Sequence, residues 1–553
     1  MQWRVLAGVA LALGGCAQKA TVLAPRVPMA DGIELALDVY LPDSAESQGA
    51  PTVLIQSRYW RSLQTGPRGG PAKRLPPAPR EPIAEALLDA GYAVVVADVR
   101  GTGASDGSWV RPWSDAEVAD EGTLVSWIAG QPWSNGRVGA YGLSYEGTTA
   151  MLTVTSGRPE LRAVLVREIE WDLADELVAP GGVKNLSFID VWGRSVAALD
   201  RDEWPELFGR SIAKNFVKGV RWTDDDLDGA LQAQRVERRE VADVAAAVAT
   251  ARAPTDPFGV GGPAVADVGP LGHLSALADT PVAVGLWGGW WDGATADAVF
   301  RADDAMPIVD ARVGGWNHEG NGSASPLGSG GDGHSAVDLA EVIRFFDTHL
   351  RDDGAGAPKV RRWFVTGPEV WEEGASWPET TLTTLDLRGD GTLGAADASL
   401  DRSLDVDFAA TVGPDQRWTA GLTRPVPAPD RGDAPGLISW QLPALDQPLR
   451  VFGPGVFECA VELTAPEAAL HVYVEAVQPN GRVRLLTEGE LRVETGPASV
   501  RLRPVAFELD AGWGLRLSVA GADADVFERV PAAGPQQIRF RASPRCALTL
   551  PTR

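Results

Sequence analysis

One serine, one aspartate and one histidine in this chain have the order expected of an acyl-transfer triad. Ser144 lies in residues 138–147, where a β-favouring run leads through a glycine and the serine into a helix-forming stretch. Asp292 and His318 each follow a later strand-like segment. A serine on a tight strand-to-helix turn exposes its hydroxyl beside backbone N–H donors, which suits a nucleophile. In this scheme His318 takes the proton of Ser144, and Asp292 orients the imidazole and stabilises its cation.

The turn around Ser144 departs by one position from the common G-x-S-x-G pattern. Gly142 precedes the serine as usual, but the second glycine is Gly147, and Glu146 stands where glycine is expected. Gly-x-Ser alone would also fit an ordinary strand-to-helix connection. The prediction of a nucleophile therefore depends on the aspartate and histidine that follow in the α/β-hydrolase order.

Several motifs together resemble the cocaine esterase and X-Pro dipeptidyl-peptidase group of serine hydrolases, which shares the late glycine. They are DVRGTGASDG at 98–107, QPWSNGRVG at 131–139, GWWD at 289–292 and GWNH at 315–318. The resemblance is spread over most of the chain and is weakest between about 171 and 276. It implies an α/β-hydrolase core and triad catalysis that needs no metal or organic cofactor. Members of the group hydrolyse esters, β-lactam-type acyl compounds or Xaa-Pro peptides.

The same resemblance assigns the oxyanion hole. In the group, a tyrosine after an early strand lends its hydroxyl, and the residue after the nucleophile lends its backbone N–H. Tyr59 and Tyr145 occupy these two positions, and Arg58 stands where members often carry proline.

The first residues predict export and lipid attachment. The letters MQWR precede a short apolar run at 5–13, and the LGGC that ends at Cys16 resembles a bacterial lipobox. The run is typical of a secretory signal and too short to span a bilayer. We therefore expect a signal peptide at 1–15, a lipidated tether at 16–25 and a membrane-anchored protein of the cell envelope. Ala17 favours the outer membrane by a sorting rule known from other bacteria, and an ordinary signal peptide with a coincidental cysteine is the alternative.

The residue composition and the hydrophobic patterns along the chain predict a hydrolase core that is divided in two by an insertion and is followed by a β-sandwich. Between two core strands lies an Ala-, Asp- and Arg-rich helical stretch, and from about residue 359 short alternating runs separated by turns are typical of a sandwich. The resemblance implies that this sandwich is a jelly roll, with a carbohydrate-binding module as the alternative. The predicted units are the first part of the core at 26–167, a helical cap at 168–276, the second part of the core at 277–352 and the sandwich at 353–553.

The amino-acid composition argues against a nucleic acid as partner. The 553 residues carry a formal charge of −24, and no basic stripe is present to displace counterions from a nucleic acid. The acidity fits a solvated surface. After Cys16 only Cys459 and Cys546 remain, and the sequence leaves a disulfide and two buried thiols equally open. Neither cysteine has a metal-ligand pattern beside it.

Two further sets of residues lie near the triad in sequence or in expected position. Trp290, Trp291 and Trp171 are predicted to help line a dry aromatic pocket, with simple packing as the alternative. The five carboxylates between Glu168 and Glu176 are interpreted as a solvated face, rather than as a site for an amine or a metal.

These features predict a serine hydrolase that cleaves ester or amide bonds of a small-molecule acyl substrate through an acyl-enzyme. The length lacks the extra N-terminal domain of the larger dipeptidyl peptidases, and no clear match to the amine-binding carboxylates of α-amino acid ester hydrolases is present. Both points favour a carboxylesterase of the cocaine esterase type. The alternatives are an Xaa-Pro dipeptidyl-peptidase or acylase with the same triad, and a non-catalytic lipoprotein that binds a ligand through its sandwich.

Overall fold

The computed structural model describes residues 21–45, 49–65, 82–203, 217–226, 229–318, 320, 323–328, 337–352, 354, 357–395, 400–413, 416–419, 436–442, 444–542 and 545–553. The predicted signal peptide, Cys16 and most of the tether therefore lie outside the described residues. Among the helices that are described, none has both the length and the apolar character needed to cross a bilayer.

The first domain is built on an eleven-stranded sheet. Its strands are β1 (Thr21–Leu23), β2 (Arg26–Pro28), β3 (Glu34–Leu41), β4 (Ala50–Ser57), β6 (Ala93–Asp98), β7 (Ser134–Leu143), β8 (Leu161–Arg167), β10 (Ala283–Gly289), β11 (Ile308–Gly314), β12 (Val360–Val365) and β13 (Val370–Gly374). The order is β1-β3-β6-β4-β7-β8-β10-β11-β12-β13, with β2 beside β3. From β6 to β12 neighbouring strands are parallel, and antiparallel strands close both edges.

Helices cover both faces of this sheet. They are α1 (Pro82–Asp89), α2 (Asp115–Ala129), α3 (Tyr145–Thr153), α8 (Thr295–Ala305) and α9 (Leu339–Phe346). On β4, Val53 and Ile55 pack with α1 and α9, whereas Leu54 packs in the core that includes α2, α3 and α8. Burial on both sides explains why strands such as β6 are continuously apolar. The predicted α/β-hydrolase core is confirmed.

The cap is inserted between β8 and β10, as predicted. It contains α4 (Leu186–Asp200), α5 (Ala230–Arg238), α6 (Val244–Ala247) and α7 (Leu274–Leu277), and the strand β9 (Val217–Val220), which pairs with β5 (Leu63–Thr65) from the core. The side chain of Asn185 caps the N-terminus of α4 by accepting a hydrogen bond from the backbone N–H of Phe188.

The C-terminal domain contains two sheets that pack face to face. The strands are β14 (Thr381–Leu387), β15 (Leu393–Gly394), β16 (Asp401–Asp405), β17 (Leu437–Leu442), β18 (Leu449–Gly453), β19 (Val456–Leu463), β20 (Ala468–Val477), β21 (Val483–Val493), β22 (Gly496–Arg501), β23 (Val505–Leu509), β24 (Gly514–Ala520), β25 (Gln537–Arg541) and β26 (Ala547–Thr552). The four-stranded sheet has the order β17-β24-β20-β21, and the remaining strands form the other sheet. Trp440 and Phe540 come from different sheets and meet with ring centroids 5.5 Å apart. The predicted β-sandwich is confirmed, and a disulfide joins Cys459 to Cys546 within it.

One strand belongs to a different domain from the one predicted. Strand β12 has an alternating sequence that we expected to belong to the sandwich. It pairs in parallel with β11 instead and so extends the first sheet. The hairpin partner β13 completes that edge. A short alternating strand has the same sequence pattern in either sheet, so only its pairing distinguishes the two.

Candidate active site

Ser144 occupies the sharp turn between β7 and α3. Its backbone adopts φ 62° and ψ −127°, a conformation that is uncommon for a residue with a side chain and typical of a nucleophile elbow. Its N–H donates to the carbonyl of Arg167 at 2.9 Å, and its carbonyl accepts from the N–H of Thr148 at 2.9 Å. As the first residue of α3, Tyr145 has no acceptor for its N–H within the helix. The turn therefore presents a half-buried serine beside a helix N-terminus.

The packing of α3 explains the late glycine. A Cβ on Gly142 would overlap the carbonyl of Glu146, and a Cβ on Gly147 would lie 2.8 Å from the carbonyl of Arg167 and 2.7 Å from Cγ2 of Ile169. Glycine is thus required at 147, where α3 approaches the end of β8, whereas position 146 accommodates a buried glutamate.

The loops after β10 and β11 bring Asp292 and His318 together. Two hydrogen bonds tie the loops, from the N–H of Trp290 to the carbonyl of Gly314 at 3.0 Å and from the N–H of Trp291 to the carbonyl of Trp316 at 3.2 Å. His318 Nδ1 then lies 3.0 Å from both carboxylate oxygens of Asp292. Because Nδ1 is engaged in this way, Nε2 is the ring nitrogen left to exchange a proton with a nucleophile.

The C-terminal domain closes the turn that carries Asp292. The N–H of Gly293, which has a φ of 47°, donates to the carbonyl of Arg417 at 3.0 Å. The hydroxyl of Thr295 lies 3.3 Å from Asp292 Oδ2. The turn is therefore held from both domains, and Asp292 is 1% exposed.

A second carboxylate lies close to the histidine. Glu168 Oε2 is 3.7 Å from His318 Nδ1. Burial opposes the imidazolium, but the charges of Asp292, Glu168 and Glu170 outweigh it and raise the pKa of His318 to about 9. Burial also raises the pKa of Glu168 and of Glu170 to about 7. Negative charge near the imidazole thus favours its protonated form.

The interpretation of residues 168–176 as a solvated face is wrong. Glu168 and Glu176 are fully buried and Asp172 is 8% exposed. They are stable there because cations reach them. Arg167 Nη2 donates to Glu168 at 3.0 Å, and Arg301 Nη1 lies 3.1 Å from Glu176.

Oxygen and nitrogen atoms of Glu168, Asp292 and His318 lie within 4.8 Å of one another, which is close enough to consider a divalent cation. The direct contact between His318 Nδ1 and Asp292 uses the nitrogen that such an ion would need. This donor set fits an acid–histidine pair better than a metal centre.

The two predicted oxyanion residues lie side by side. The rings of Tyr59 and Tyr145 have centroids 6.1 Å apart. The Tyr145 hydroxyl donates to Glu117 at 2.6 Å and accepts from the indole of Trp109 at 2.9 Å. That side chain is fixed in a buried network, which leaves the backbone N–H of Tyr145 as its contribution to a site. The Tyr59 hydroxyl accepts a hydrogen bond of 2.9 Å from the indole of Trp192.

Aromatic side chains that the sequence reasoning missed surround these tyrosines. Trp113 stacks on Tyr145 with centroids 4.8 Å apart, and Trp192 stacks on it at 6.4 Å. Phe188 and Trp192 stack on each other at 6.0 Å from one face of α4. Their i, i+4 spacing was a usable signal, but it lies in the stretch where the family resemblance is weakest.

The tryptophans that were predicted for the pocket are packing residues instead. Trp290 is completely buried, donates its indole N–H to the carbonyl of Phe364 at 2.7 Å and contacts Phe452 of the sandwich. Trp291 and Trp171 are 7% and 3% exposed and belong to the same core. The aromatic side chains that contact Tyr145, the residue after Ser144, come from the cap and from the loop after β6.

Comparison with known proteins agrees with this arrangement. The family model of the X-Pro dipeptidyl-peptidases (S15 family) matches residues 31–320, and that of the X-Pro dipeptidyl-peptidase C-terminal non-catalytic domain matches residues 353–549. A Mycobacterium bovis protein named "Putative serine esterase" is 30% identical over 93% of this chain and 92% of its own length. The cocaine esterase of Rhodococcus sp. is 26% identical over 84% of this chain and 82% of its own length. An aminopeptidase from the marine sediment archaeon Thaumarchaeota archaeon has the same fold, with a TM-score of 0.70, 19% identity and 98% of both chains covered.

Proposed function

Because this chain belongs to the X-Pro dipeptidyl-peptidase (S15) family and is a serine hydrolase, we propose that it is a carboxylesterase of the cocaine esterase type. The observation that carries the proposal is the pairing of His318 Nδ1 with both oxygens of Asp292 at the sheet edge where Ser144 forms a nucleophile elbow. This arrangement can deliver a neutral imidazole in the tautomer that accepts a serine proton.

The proposed reaction has two acyl-transfer steps. Ser144 Oγ attacks the substrate carbonyl carbon while His318 Nε2 takes the serine proton. The oxyanion accepts hydrogen bonds from the Tyr59 hydroxyl and the Tyr145 N–H, and His318 then protonates the departing alcohol. Water attacks the acyl-serine in the second step, with His318 again as base, and releases the acid and free Ser144. Asp292 holds the ring throughout.

The aromatic lining supports esters of uncharged, apolar acyl groups. Phe188 and Trp192 are only partly buried and lie on the cap helix beside Tyr59 and Tyr145, where rings can pack against an acyl group.

Xaa-Pro dipeptidyl-peptidase activity is the second candidate. Glu168 and Glu170 place negative charge near His318, and an ammonium group on a peptide substrate would be attracted to it. A direct comparison of substrates decides between the two.

The experiment measures hydrolysis of short p-nitrophenyl esters and of an Xaa-Pro p-nitroanilide by the purified protein, by Ser144→Ala and by Ser195→Ala. Ser195 lies on α4 outside the triad and provides the same chemical change as a control. We expect ester turnover that is lost only in Ser144→Ala. Turnover of the anilide would assign the peptidase reaction. A folded protein that is inert and that a fluorophosphonate does not label at Ser144 would support the non-catalytic lipoprotein instead.

We also propose that Cys16 carries a lipid that holds the protein in the cell envelope. The support is the LGGC sequence after a short apolar run. In bacterial cells, the protein should fractionate with membranes, whereas Cys16→Ser should not. Equal fractionation of the two would contradict the anchor.

A further inference from the structure

Two carboxylates reach the same imidazole nitrogen from neighbouring strands. Asp292 lies 3.0 Å from His318 Nδ1, and Glu168 lies 3.7 Å from it. We propose that Glu168 is a positioning residue that shares His318 with Asp292 and partly replaces Asp292 when that carboxylate is removed. This inference rests on the proposed hydrolase site and assigns a further residue to it.

The two carboxylates lie close together because they follow strands that are neighbours in the sheet. Strands β8 and β10 are adjacent and parallel, with Arg167 beside Trp287. Glu168 is the first residue after β8, and its N–H donates to the carbonyl of Trp287 at 2.7 Å. Asp292 follows the end of β10 by three residues. The α/β-hydrolase fold therefore offers an acid at the ends of two strands here, and both point to one histidine.

The position of Glu168 is closely determined. Its φ of 53° is unusual for a residue with a side chain and persists only where the surroundings impose it. Its side chain is completely buried, and Arg167 donates to Oε1 at 3.0 Å while also donating to the Tyr141 hydroxyl at 3.0 Å. Gly320, two residues after His318, packs over this pair, since a Cβ there would lie 3.2 Å from Glu168 Oε1. The histidine loop and Glu168 are thus fitted to each other.

The charges around His318 suit a shared role. Asp292, Glu168 and Glu170 act on the imidazole, Arg167 acts on Glu168, and Arg417 acts on Asp292. These three carboxylates, two arginines and an imidazolium sum to zero, so the cation that forms during proton transfer is balanced. A shift of about 0.7 Å would bring Glu168 within hydrogen-bond distance of Nδ1.

The test compares Glu168→Gln, Asp292→Ala and the double variant, with Glu176→Gln as a matched control. Glu176 is equally buried on the same segment but pairs with Arg301 rather than His318. We expect Glu168→Gln to move the acid limb of kcat/KM to lower pH by about one unit. The reason is that removing a unit negative charge at this distance lowers the pKa of the imidazole by about that much even in water. We also expect the double variant to be about ten-fold less active than Asp292→Ala alone.

The proposal would be overturned if the acid limbs of wild type and Glu168→Gln coincide and if Asp292→Ala and the double variant are equally active. The Arg167–Glu168 contact would then be only a structural ion pair. Fluorophosphonate labelling of Ser144 in the wild-type protein and in Glu176→Gln, both of which retain Asp292 and Glu168, shows separately whether the hydrolase site itself is active. If Glu168→Gln does not fold, Glu168→Asp retains the charge at a greater distance and should move the limb part of the way. The imidazole titration of His318, followed by NMR in Ser144→Ala and in Ser144→Ala with Glu168→Asp, then gives the same answer without turnover.

Discussion

The indole N–H of Trp192 donates a hydrogen bond of 2.9 Å to the hydroxyl oxygen of Tyr59. Trp192 lies on the cap helix α4, and Tyr59 follows β4 of the core. A hydroxyl that accepts a hydrogen bond is polarised and becomes a better donor. The cap therefore contacts the group that we propose to stabilise the oxyanion.

We expect Tyr59→Phe to lower kcat by about 100-fold, the effect of removing one oxyanion donor. Trp192→Phe should cause a smaller loss in kcat, because it removes only the polarising partner. Trp377→Phe is the control, since the Trp377 indole donates to Asp303 and contacts neither tyrosine. Steady-state kinetics with a p-nitrophenyl ester measures all three. Unchanged kcat in Tyr59→Phe would exclude its hydroxyl from the oxyanion hole.

Gly147→Ala should abolish ester hydrolysis and lower the melting temperature. The added Cβ would meet the backbone of Arg167 at 2.8 Å, so α3 must move away from β8 and carry Ser144 with it. Gly130→Ala is the matched control, because φ there is −81° and the nearest atom would be at 3.5 Å. Circular dichroism and fluorophosphonate labelling report the two effects. Full labelling of Gly147→Ala would contradict this account of the late glycine.

The rate constant kcat/KM should rise with pH through the ionisation of His318. Only the neutral imidazole accepts a proton from Ser144. Burial favours that neutral form, but Asp292, Glu168 and Glu170 outweigh it and hold the pKa of His318 at about 9. The acid limb should therefore lie above the value of about 6.5 for an ordinary histidine. A profile measured with an ester that does not ionise gives the limb directly, and a midpoint at or below the ordinary value would be inconsistent with this charge arrangement.

Loss of the disulfide should destabilise the sandwich without touching the triad. Cys459 and Cys546 are 87 residues apart, and closing a loop of that length stabilises the folded state by about 4.6 kcal/mol in the chain-entropy account. We expect the double variant Cys459→Ser/Cys546→Ser to melt at a lower temperature and to be insensitive to reductant. Scanning calorimetry with and without dithiothreitol measures the shift. Equal melting of oxidised and reduced wild type would show that the crosslink adds no stability.

Residues whose role depends on a local turn could be predicted from the sequence. Ser144 is marked by its glycines, and Asp292 and His318 are marked by the glycine-rich loops that end their strands. In a parallel sheet such loops meet at one edge, so the chain order was enough to predict that Asp292 and His318 lie together, and the structure places them 3.0 Å apart.

The role of a residue could not be predicted from the sequence where it depends on a partner far away in the chain. Glu176 looked solvated because the sequence does not show that Arg301, more than a hundred positions later, packs against it. Glu168 likewise required the pairing of β8 with β10 before its distance to His318 became visible. Trp290 looked like a pocket residue because it is close to Asp292 in sequence, whereas its ring points into the interface with the sandwich.

Two hydrogen bonds join Gly293 and Arg417, one from the Gly293 N–H to the Arg417 carbonyl and one from the Arg417 guanidinium to the Gly293 carbonyl, and they make the working lifetime of the enzyme depend on the domain that performs no chemistry. When the sandwich loosens on heating, the turn beside Asp292 loses its outer support while the sheet under Ser144 is still intact. Heat inactivation should then run ahead of the melting of the hydrolase core. Efforts to prolong activity at high temperature should accordingly begin far from the serine, in the β-rich half of the chain.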